Sequence, residues 1–329
     1  MEESRVVAYT VDLSLRIGEM LLSNGAGAAD VSATMQSVSY HLGLRNPIID
    51  VTFTSLSMSY QDEPGEVPLV MIRQVKQRDI DYEDLTRVDH LVRDLLADRI
   101  DLGEARATIA RISSSGHGRH RWAVTMGIGF MGWGLGLMIG GNAMVASIAF
   151  VAAAAIDRAQ MYMARQRLPI FYLQVAGGMV CTGLALGAEA ANLPLDPSVV
   201  VAASIILLLS GLGLMGGLQD ALTGFYITAG ARLTEVFLST AGIVAGVSAG
   251  LTLGRVIGVD IGQLEVGGTK GLVGMATMAL GAAVSAAAFA YSAYSPKRIL
   301  APIAAVAVIG MGIAYYVQGA GFGRTYSVA

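Results

Sequence analysis

The sequence predicts an α-helical polytopic membrane protein with a small N-terminal cytoplasmic α/β domain. Of the 47 charged residues in the 329-residue chain, 31 lie in residues 1–121 and 16 lie in residues 122–329. From Trp122 to Val317 the chain consists of apolar segments, rich in Gly and Ala, that are long enough to cross a bilayer. We therefore expect the α/β domain at 1–118, a five-span membrane domain at 119–258 and two further spans at 259–329.

The charge and the cysteine content exclude several classes of protein. The net charge is −3 and no Lys/Arg tract is present, so nucleic acid is not an expected partner. The single cysteine, Cys181, allows no intrachain disulfide and no cysteine-based metal site. The four histidines lack the spacing of zinc ligands, and we expect neither a metal nor a cofactor. The N-terminus, MEESRVVAYT, is acidic where a signal peptide would be basic, which favours a cytoplasmic N-terminal domain.

Two helices are predicted at the start of the N-terminal domain. Residues 7–23 have the spacing of an amphipathic helix, and Asn24-Gly25 supplies a stop signal. A second helix, with apolar residues at intervals of three or four, is expected to be capped by Asp30 and to end at Gly43. Gly25-Ala26-Gly27 follows a helix rather than a strand, so we interpret it as a turn and not as a dinucleotide-binding loop.

The rest of this domain is predicted as two strands and two helices. Residues 49–60 and 67–76 are β-branched and alternate in polarity, and Asp62-Glu63-Pro64-Gly65 between them is typical of a hairpin turn. A helix is expected at 83–98. Another begins at Asp101, which forms a capping pair with Glu104. The predicted order is helix, helix, strand, strand, helix, helix.

Seven apolar windows follow, at 122–139, 143–156, 169–190, 198–219, 233–258, 271–292 and 298–319. The second window is short, so it is either extended past Asp157 and Arg158 or forms a half-helix inside the bundle. Seven spans with a cytoplasmic N-terminus place the C-terminal end of the last span outside. The positive-inside rule supports this orientation, with Arg255 and Lys270 as exceptions, because the loops expected inside carry Arg158, Arg165, Arg167, Arg232, Lys297 and Arg298.

The segment from Ser210 to Glu235 is the candidate functional site. Glycines weaken helix continuity, and broken helices expose backbone groups to a solute, so we expect unwound backbone at Ser210–Gly217. Ionisable groups at membrane depth are costly unless they pair or face water, which favours Asp220, Arg232 and Glu235 as a proton-coupling and gating cluster. The expected substrate contacts are Ser210, Gly211, Gly213, Gly216, Gly217, Thr223, Tyr226 and Thr228.

Simpler interpretations of the same residues stay open. Small residues at intervals of three or four allow close helix packing, which is the ordinary role of most glycines in the membrane segments. Asp220 is alternatively a solvated loop residue that pairs with Arg232, and Arg232 and Glu235 have the spacing of a local helix pair. In residues 1–118, Ser55, Ser57, His41 and His90 are not organised by any catalytic motif, so we do not expect an enzyme.

Three segments carry a resemblance to the threonine/serine exporter family. They are GEMLLSNGAGAADVSATMQSVSYHLGL (residues 18–44), VTFTSLSMSY (residues 51–60) and LLLSGLGLMGGLQDALTGFYITAGARLTEVFL (residues 207–238). The third is the most specific, because its glycines, Asp, Thr-Gly and Arg stand at the relative positions found in that family. The resemblance implies a cytoplasmic α/β domain, a multi-span domain, and export of threonine and serine in antiport with protons across the inner membrane.

The chain departs from the family pattern in two ways. Ser210 stands where many members have proline, and members are expected to have about ten spans in two five-span halves. Residues 271–319 look like the first two spans of a second half, so either the sequence is a fragment, or a second copy or a partner membrane subunit completes the assembly. A sister branch that exports dicarboxylates such as succinate is an alternative, and a membrane-anchored sensor or hydrolase acting through residues 1–118 is another.

Overall fold

The computed structural model describes residues 2–62, 67–75, 78–116, 118–194, 196–259 and 272–319. The chain divides into two compact units. The N-terminal unit comprises Met1–Gly118 and Gly211–Val236, and the helical unit comprises Arg119–Ser210 and Phe237–Ala329.

The N-terminal unit begins with the two predicted helices, α1 (Glu2–Ser23) and α2 (Ala28–His41). Gly25, at φ +100°, ends α1 in a Schellman motif in which Ala26 N–H donates to Leu21 O at 3.0 Å. The expectation that Asp30 caps α2 is wrong, because the N-cap residue is Gly27 and Asp30 lies in the first helical turn. Since glycine has no side chain, the cap of α2 has to be supplied from elsewhere.

Three antiparallel strands follow in the order β1 (Ile48–Val51), β2 (Ser55–Tyr60) and β3 (Leu69–Gln74). The segment 49–60 was expected to form one strand, but a turn at Thr52 divides it into two. Thr52 accepts the N–H of Ser55 on its Oγ1 atom at 3.2 Å, and such a side-chain bond offers the backbone an alternative to the ladder. Most of the expected turn at Asp62–Gly65 lies outside the described residues.

Helices α3 (Tyr82–Leu96) and α4 (Leu102–Ser114) complete the order after the sheet. Asp101 accepts the N–H of Glu104 at 2.7 Å, which confirms the predicted cap of α4. The core consists mainly of apolar side chains from all four helices and β2, with Val51 of β1, and the partly buried Phe225 packs against it. Arg73 of β3 forms ion pairs with two carboxylates of α1, Asp12 at 2.7 Å and Glu19 at 2.8 Å.

The remaining helices are α5 (Arg121–Met138), α6 (Ala143–Arg165), α7 (Ile170–Ala190), α8 (Pro197–Leu208), α9 (Gly211–Leu222), α10 (Tyr226–Val256), α11 (Leu272–Ser292) and α12 (Leu300–Gly319). Helix α6 runs past Asp157 to Arg165, so the short second window is part of a full-length helix. A single turn of 3₁₀-helix, Lys297–Ile299, precedes α12.

Within the described residues, six helical segments are long and apolar enough to cross a membrane. They are Ala143–Arg165, Ile170–Ala190, Pro197–Leu222, Tyr226–Val256, Val273–Ser292 and Lys297–Val317. The first expected span, 122–139, forms α5, whose 18 residues include Arg121 and five glycines. Since glycine and arginine lower the mean hydropathy of α5, its assignment as a seventh span stays a prediction.

Glycines of α10 allow it to pack closely against α7 in the helical unit. A Cβ atom on Gly242 would lie 2.6 Å from the carbonyl oxygen of Phe171, and one on Gly250 would lie 2.7 Å from Cβ of Thr182. A Cβ atom on Gly246 would overlap the carbonyl oxygen of Val175. These three glycines thus let the backbones of α7 and α10 come into contact, as expected of small residues at intervals of four in membrane helices.

The start of α5 is tied to the end of α11. The guanidinium of Arg119 donates hydrogen bonds to the carbonyl oxygens of Tyr291 and Ser295 and lies 4.5 Å from the ring centroid of Tyr291. A cation at a helix C-terminus satisfies carbonyl groups that have no partner in the helix and complements the helix dipole. The first residues of α5 and the last residues of α11 therefore lie at the same end of the helical unit.

Candidate functional site

The predicted site residues lie on a helix pair, α9 and the start of α10, joined by a tight turn. Gly224, at φ +91°, ends α9, and Phe225 N–H donates to Asp220 O at 2.8 Å. Together with the bond from Gly224 N–H to Ala221 O, this forms a Schellman motif. Phe225 follows the glycine and its ring packs against the core of the N-terminal unit. The turn therefore holds Asp220 in the last turn of α9, two residues before the helix ends at Leu222.

The carboxylate of Asp220 is fully buried in the N-terminal unit. Its Oδ1 atom accepts a hydrogen bond of 2.9 Å from the backbone N–H of Ala28, the first residue of α2. Since the N-cap residue Gly27 has no side chain, Asp220 supplies the cap that α2 lacks. A negative charge at this position also complements the helix dipole.

Arg232, on α10, is the ionic partner of Asp220. Its Nε atom lies 3.4 Å from Oδ2 of Asp220, and its Nη2 atom donates to Ala26 O at 3.4 Å. Arg232 is 9% exposed, so the pair is shielded from water. The structure thus brings two of the three predicted coupling residues together, and they meet at the turn between α1 and α2.

Glu235, the third predicted coupling residue, is half-buried and forms no ion pair with Arg232. Arg78, just after β3, was missed by sequence reasoning. Its guanidinium lies 3.5 Å from the ring centroid of Phe53. Burial and the nearby positive charge of Arg232 lower the pKa of Arg78 to about 10, while Glu235 and Asp220 act in the opposite direction. Two cations and two carboxylates therefore interact in this part of the N-terminal unit.

The expected unwound backbone at Ser210–Gly217 is wrong in its extent. The helix is interrupted only at Leu209 and Ser210, and α9 begins at Gly211, so Gly211, Gly213, Gly216 and Gly217 are helical. Since the first N–H groups of a helix have no intrahelical acceptor, free donors remain only in the first turn of α9.

Two of these glycines have packing roles. A Cβ atom on Gly216 would overlap Nη1 of Arg232, so the absence of a side chain at residue 216 makes room for the guanidinium. A Cβ atom on Gly217 would lie 3.0 Å from Leu233 and would press against α10. A Cβ atom on Gly211 would have no neighbour within 4 Å.

Three of the four hydroxyl residues expected to contact substrate, Thr223, Tyr226 and Thr228, differ in their surroundings. Thr228 is 1% exposed, and its Oγ1 atom donates to the carbonyl oxygen of Val51 at the end of β1 at 3.1 Å. Thr223, directly after α9, donates to the carbonyl oxygen of Gln219 of that helix at 2.9 Å. Tyr226 is 74% exposed. Thr228 is thus buried inside the N-terminal unit, whereas Thr223 and Tyr226 are exposed.

A second buried carboxylate lies in the helical unit and was not predicted as part of a site. Asp157 of α6 accepts from Nη2 of Arg121 at 2.5 Å and from Oγ1 of Thr125 at 2.6 Å. Both of its oxygens are occupied, and the contacts join α6 to the first turn of α5. This arrangement is that of a structural ion pair. Its only sequence signal was its position directly after the short second apolar window, 143–156.

Two of the residues considered for catalysis in the N-terminal unit, Ser55 and His41, have partners other than each other. Ser55 is hydrogen-bonded to Thr52, with 2.8 Å between their hydroxyl oxygens. His41 lies 3.0 Å from a carboxylate oxygen of Asp98. A catalytic nucleophile and its base have to be within hydrogen-bond reach of each other. Ser55 instead contacts Thr52, and His41 contacts Asp98.

Comparison with known proteins identifies the family. A family model described as "Putative threonine/serine exporter" matches residues 12–254, which include α9, most of α10 and most of the N-terminal unit. The chain belongs to the threonine/serine exporter family. The family is named for transport, and the described part of the chain agrees, since it contains six helical segments able to cross a membrane.

Two curated relatives of this exporter family match most of the chain. A "Probable threonine/serine exporter" of Mycobacterium tuberculosis is 32% identical over 326 residues, which cover 95% of this chain and 60% of the relative. A "Threonine/serine exporter" of Corynebacterium glutamicum is 29% identical over 317 residues, which cover 94% of this chain and 64% of the relative. The chain therefore spans about three fifths of the length of these exporters.

No solved structure matches this chain. Two of the segments that carry the family resemblance, residues 18–44 and residues 207–238, contribute the two sides of the Asp220 site, since Ala28 lies in the first and Asp220 in the second. The resemblance of these segments indicates the family, but only the structure brings them together.

Proposed function

We propose that the protein is a secondary-active exporter of threonine and serine that works in antiport with protons. Family membership and the six apolar helices support transport, and the names of both relatives support the substrate class. The N-terminal domain, residues 1–118, is cytoplasmic, and the protein resides in the inner membrane. The protein works as a homo-oligomer or together with a partner membrane subunit.

The coupling cluster of this proposal is Asp220 with Arg232 and Glu235. The observation that carries it is the complete burial of the Asp220 carboxylate beside a buried arginine. A buried charge is stable only while its partners stay in place, so taking up a proton on Asp220 would weaken both the ion pair and the bond to Ala28. Proton binding would in this way release α9 from the start of α2.

The substrate contact of this proposal is the start of α9. The break at Leu209 and Ser210 leaves N–H groups of the first turn without helical partners. Such groups bind carboxylates, because the N-terminus of a helix carries partial positive charge. Ser210 adds a hydroxyl group beside them. We assign this part of the chain to the α-carboxylate of the substrate during its passage.

The proposed topology has seven spans, with the N-terminus inside. The contacts of Arg119 with Tyr291 and Ser295 support it, because an even number of crossings between the start of α5 and the end of α11 returns the chain to the same side. The basic residues Lys297 and Arg298 after α11, and Arg165 and Arg167 after α6, agree with cytoplasmic ends.

The test is efflux of preloaded, labelled threonine, serine and succinate from cells with and without the protein, each with and without an uncoupler. We expect efflux of threonine and serine that the uncoupler abolishes. The variant Asp220→Asn should lose the pH dependence of export, whereas Asp89→Asn, on the exposed face of α3, should behave as the wild type. Succinate efflux alone would contradict the substrate class, and unchanged pH dependence in Asp220→Asn would contradict the coupling role.

A further inference from the structure

Three charged side chains of the N-terminal unit have a buried atom without a hydrogen-bond partner: Nε of Arg16, Nη2 of Arg78 and Oδ2 of Asp220. Arg16 belongs to an ion pair with Asp12 at 3.0 Å, whereas Arg78 and Asp220 belong to the cluster around Arg232. Asp220 is fully buried, and its Oδ2 atom has only the 3.4 Å approach of Arg232 Nε, which does not form a hydrogen bond. Buried polar atoms are rarely left unsatisfied, because each one costs the free energy of its lost hydration. An unsatisfied donor and an unsatisfied acceptor in the same cluster point to a ligand that carries both.

Within the described part of the chain, no carboxylate forms an ion pair with the guanidinium of Arg78. The guanidinium lies over the ring of Phe53 at 3.5 Å, which orients its plane, and its Nη2 atom has no hydrogen-bond partner. Neither Asp220 nor Glu235 forms an ion pair with it, although both carboxylates influence its titration. A planar guanidinium with a free edge is suited to a carboxylate, which it binds through two parallel hydrogen bonds.

We propose that this cluster is a binding site for the zwitterion of a small α-amino acid, whose carboxylate binds Arg78 and whose ammonium binds Oδ2 of Asp220. The site rests on the proposed export of amino acids and would be where the substrate first binds on the cytoplasmic side. Glu235 adds a second carboxylate for the ammonium.

Charge balance selects a zwitterion over a dicarboxylate. Arg78 and Arg232 carry two positive charges, and Asp220 and Glu235 carry two negative ones, so the four side chains are neutral together. A zwitterion leaves this balance unchanged. A dianion would add two negative charges beside a buried carboxylate, which is strongly unfavourable away from water.

Close packing limits the size of the ligand. A Cβ atom on Gly27 would lie 3.5 Å from Nε2 of Gln219 and 3.6 Å from Oδ1 of Asp220, and one on Gly216 would overlap Arg232. Since even a methyl group at these two positions would meet atoms of the cluster, we expect an amino acid with a short side chain to be accepted better than a bulky one.

The proposal is tested with the full chain purified in detergent, by calorimetric titration with L-threonine, L-threoninamide and succinate. We expect the wild type to bind threonine and to bind the amide, which lacks the carboxylate, at least about tenfold more weakly, as for loss of one charged hydrogen bond. Arg78→Gln should weaken threonine binding by a similar factor and leave the amide unaffected. Arg78→Lys should fall between the two, because lysine keeps the charge but not the planar fork.

The matched control is Arg87→Gln. Arg87 lies on α3 of the same unit and is paired with Glu83 at 2.6 Å, outside the cluster. Its variant should bind threonine as the wild type does. Equal binding of threonine and its amide by the wild type would overturn the proposal without any variant, as would tighter binding of succinate or unaltered threonine binding by Arg78→Gln.

Efflux measured on the same proteins separates this proposal from the proposed function. Threonine export by the wild type together with threonine binding that does not depend on Arg78 would overturn the site alone. Absence of both threonine binding and threonine export in the wild type would contradict the function on which the site rests.

Discussion

The carboxylate of Asp220 caps a helix that begins 192 positions earlier in the chain, since its Oδ1 atom accepts the N–H of Ala28 at 2.9 Å. The side chain that would normally perform this task is absent, because the N-cap residue is Gly27. One carboxylate therefore serves both the start of α2 and the buried guanidinium of Arg232. A proton bound there would affect both contacts at once.

Replacement of Asp220 should separate its capping role from its charge. Asp220→Ala removes both the acceptor for Ala28 and the partner of Arg232, and breaking a buried pair costs about 3–5 kcal/mol. Asp220→Asn keeps an oxygen that can accept from Ala28 and should be less destabilised. The measurement is the melting temperature of the purified protein in detergent. Equal melting temperatures for the two variants would show that the cap contributes little.

Gly216→Ala should disrupt the site without removing any of its polar groups. The added methyl group would overlap Nη1 of Arg232 and force the guanidinium away from Asp220. We expect a lower melting temperature and weaker export. Gly230→Ala, on α10, is the control, because its Cβ atom would meet nothing within 4 Å and alanine favours the helix by up to about 1 kcal/mol. Similar effects of the two substitutions would contradict this account of Gly216.

Helix positions were predictable from the sequence, but the partners of the site were not. Residues 7–23, with Asn24-Gly25 as the stop, correspond to α1, because apolar spacing and a glycine at positive φ act locally. The same approach missed the division of residues 49–60 by Thr52, since threonine also favours strands and gives no turn signal of its own.

Asp220, Arg232 and Glu235 were selected because ionisable residues stood beside a Gly-rich segment. Ala28 could not have been selected, because a backbone N–H group has no signature of residue type and lies far away in the chain. Arg78 was equally hidden, since one arginine among many in a polar domain carries no signal until Phe53 and Asp220 are known to be near it.

Gly246→Ala should destabilise the helical unit. Its Cβ atom would overlap the carbonyl oxygen of Val175, and a backbone atom cannot move aside as the end of a side chain can. Overpacking of this kind costs about 1–3 kcal/mol. Gly310→Ala on α12, whose Cβ atom would have no neighbour within 4 Å, should be tolerated. Melting temperatures in detergent compare the two, and a tolerated Gly246→Ala would argue against close contact of α7 and α10.

Asp12 should stabilise the N-terminal unit in a pH-dependent way. Burial tends to raise the pKa of Asp12, but the hydrogen bond and charge of Arg73, with the charge of Arg16, hold it below the ordinary value of 3.8. A carboxyl group with a lowered pKa contributes stability above its unfolded pKa, and this contribution is lost as pH falls through the folded pKa. Asp12→Asn should therefore lower the melting temperature at pH 7, and the difference from wild type should shrink as the pH falls below 3.8.

The proposed topology predicts which positions impermeant thiol reagents reach in intact cells. Cys181 is the one cysteine in the chain and is buried, so Cys181→Ala gives a background in which single cysteines can be placed. Gln166→Cys, after α6, and Lys297→Cys, before α12, should react only after the membrane is permeabilised. Leu193→Cys, between α7 and α8, should react in intact cells. Arg119 ties the start of α5 to the end of α11. If Lys297→Cys were labelled from outside, the start of α5 would therefore also lie on the outer side, and the orientation of the whole helical unit would be the reverse of the proposed one.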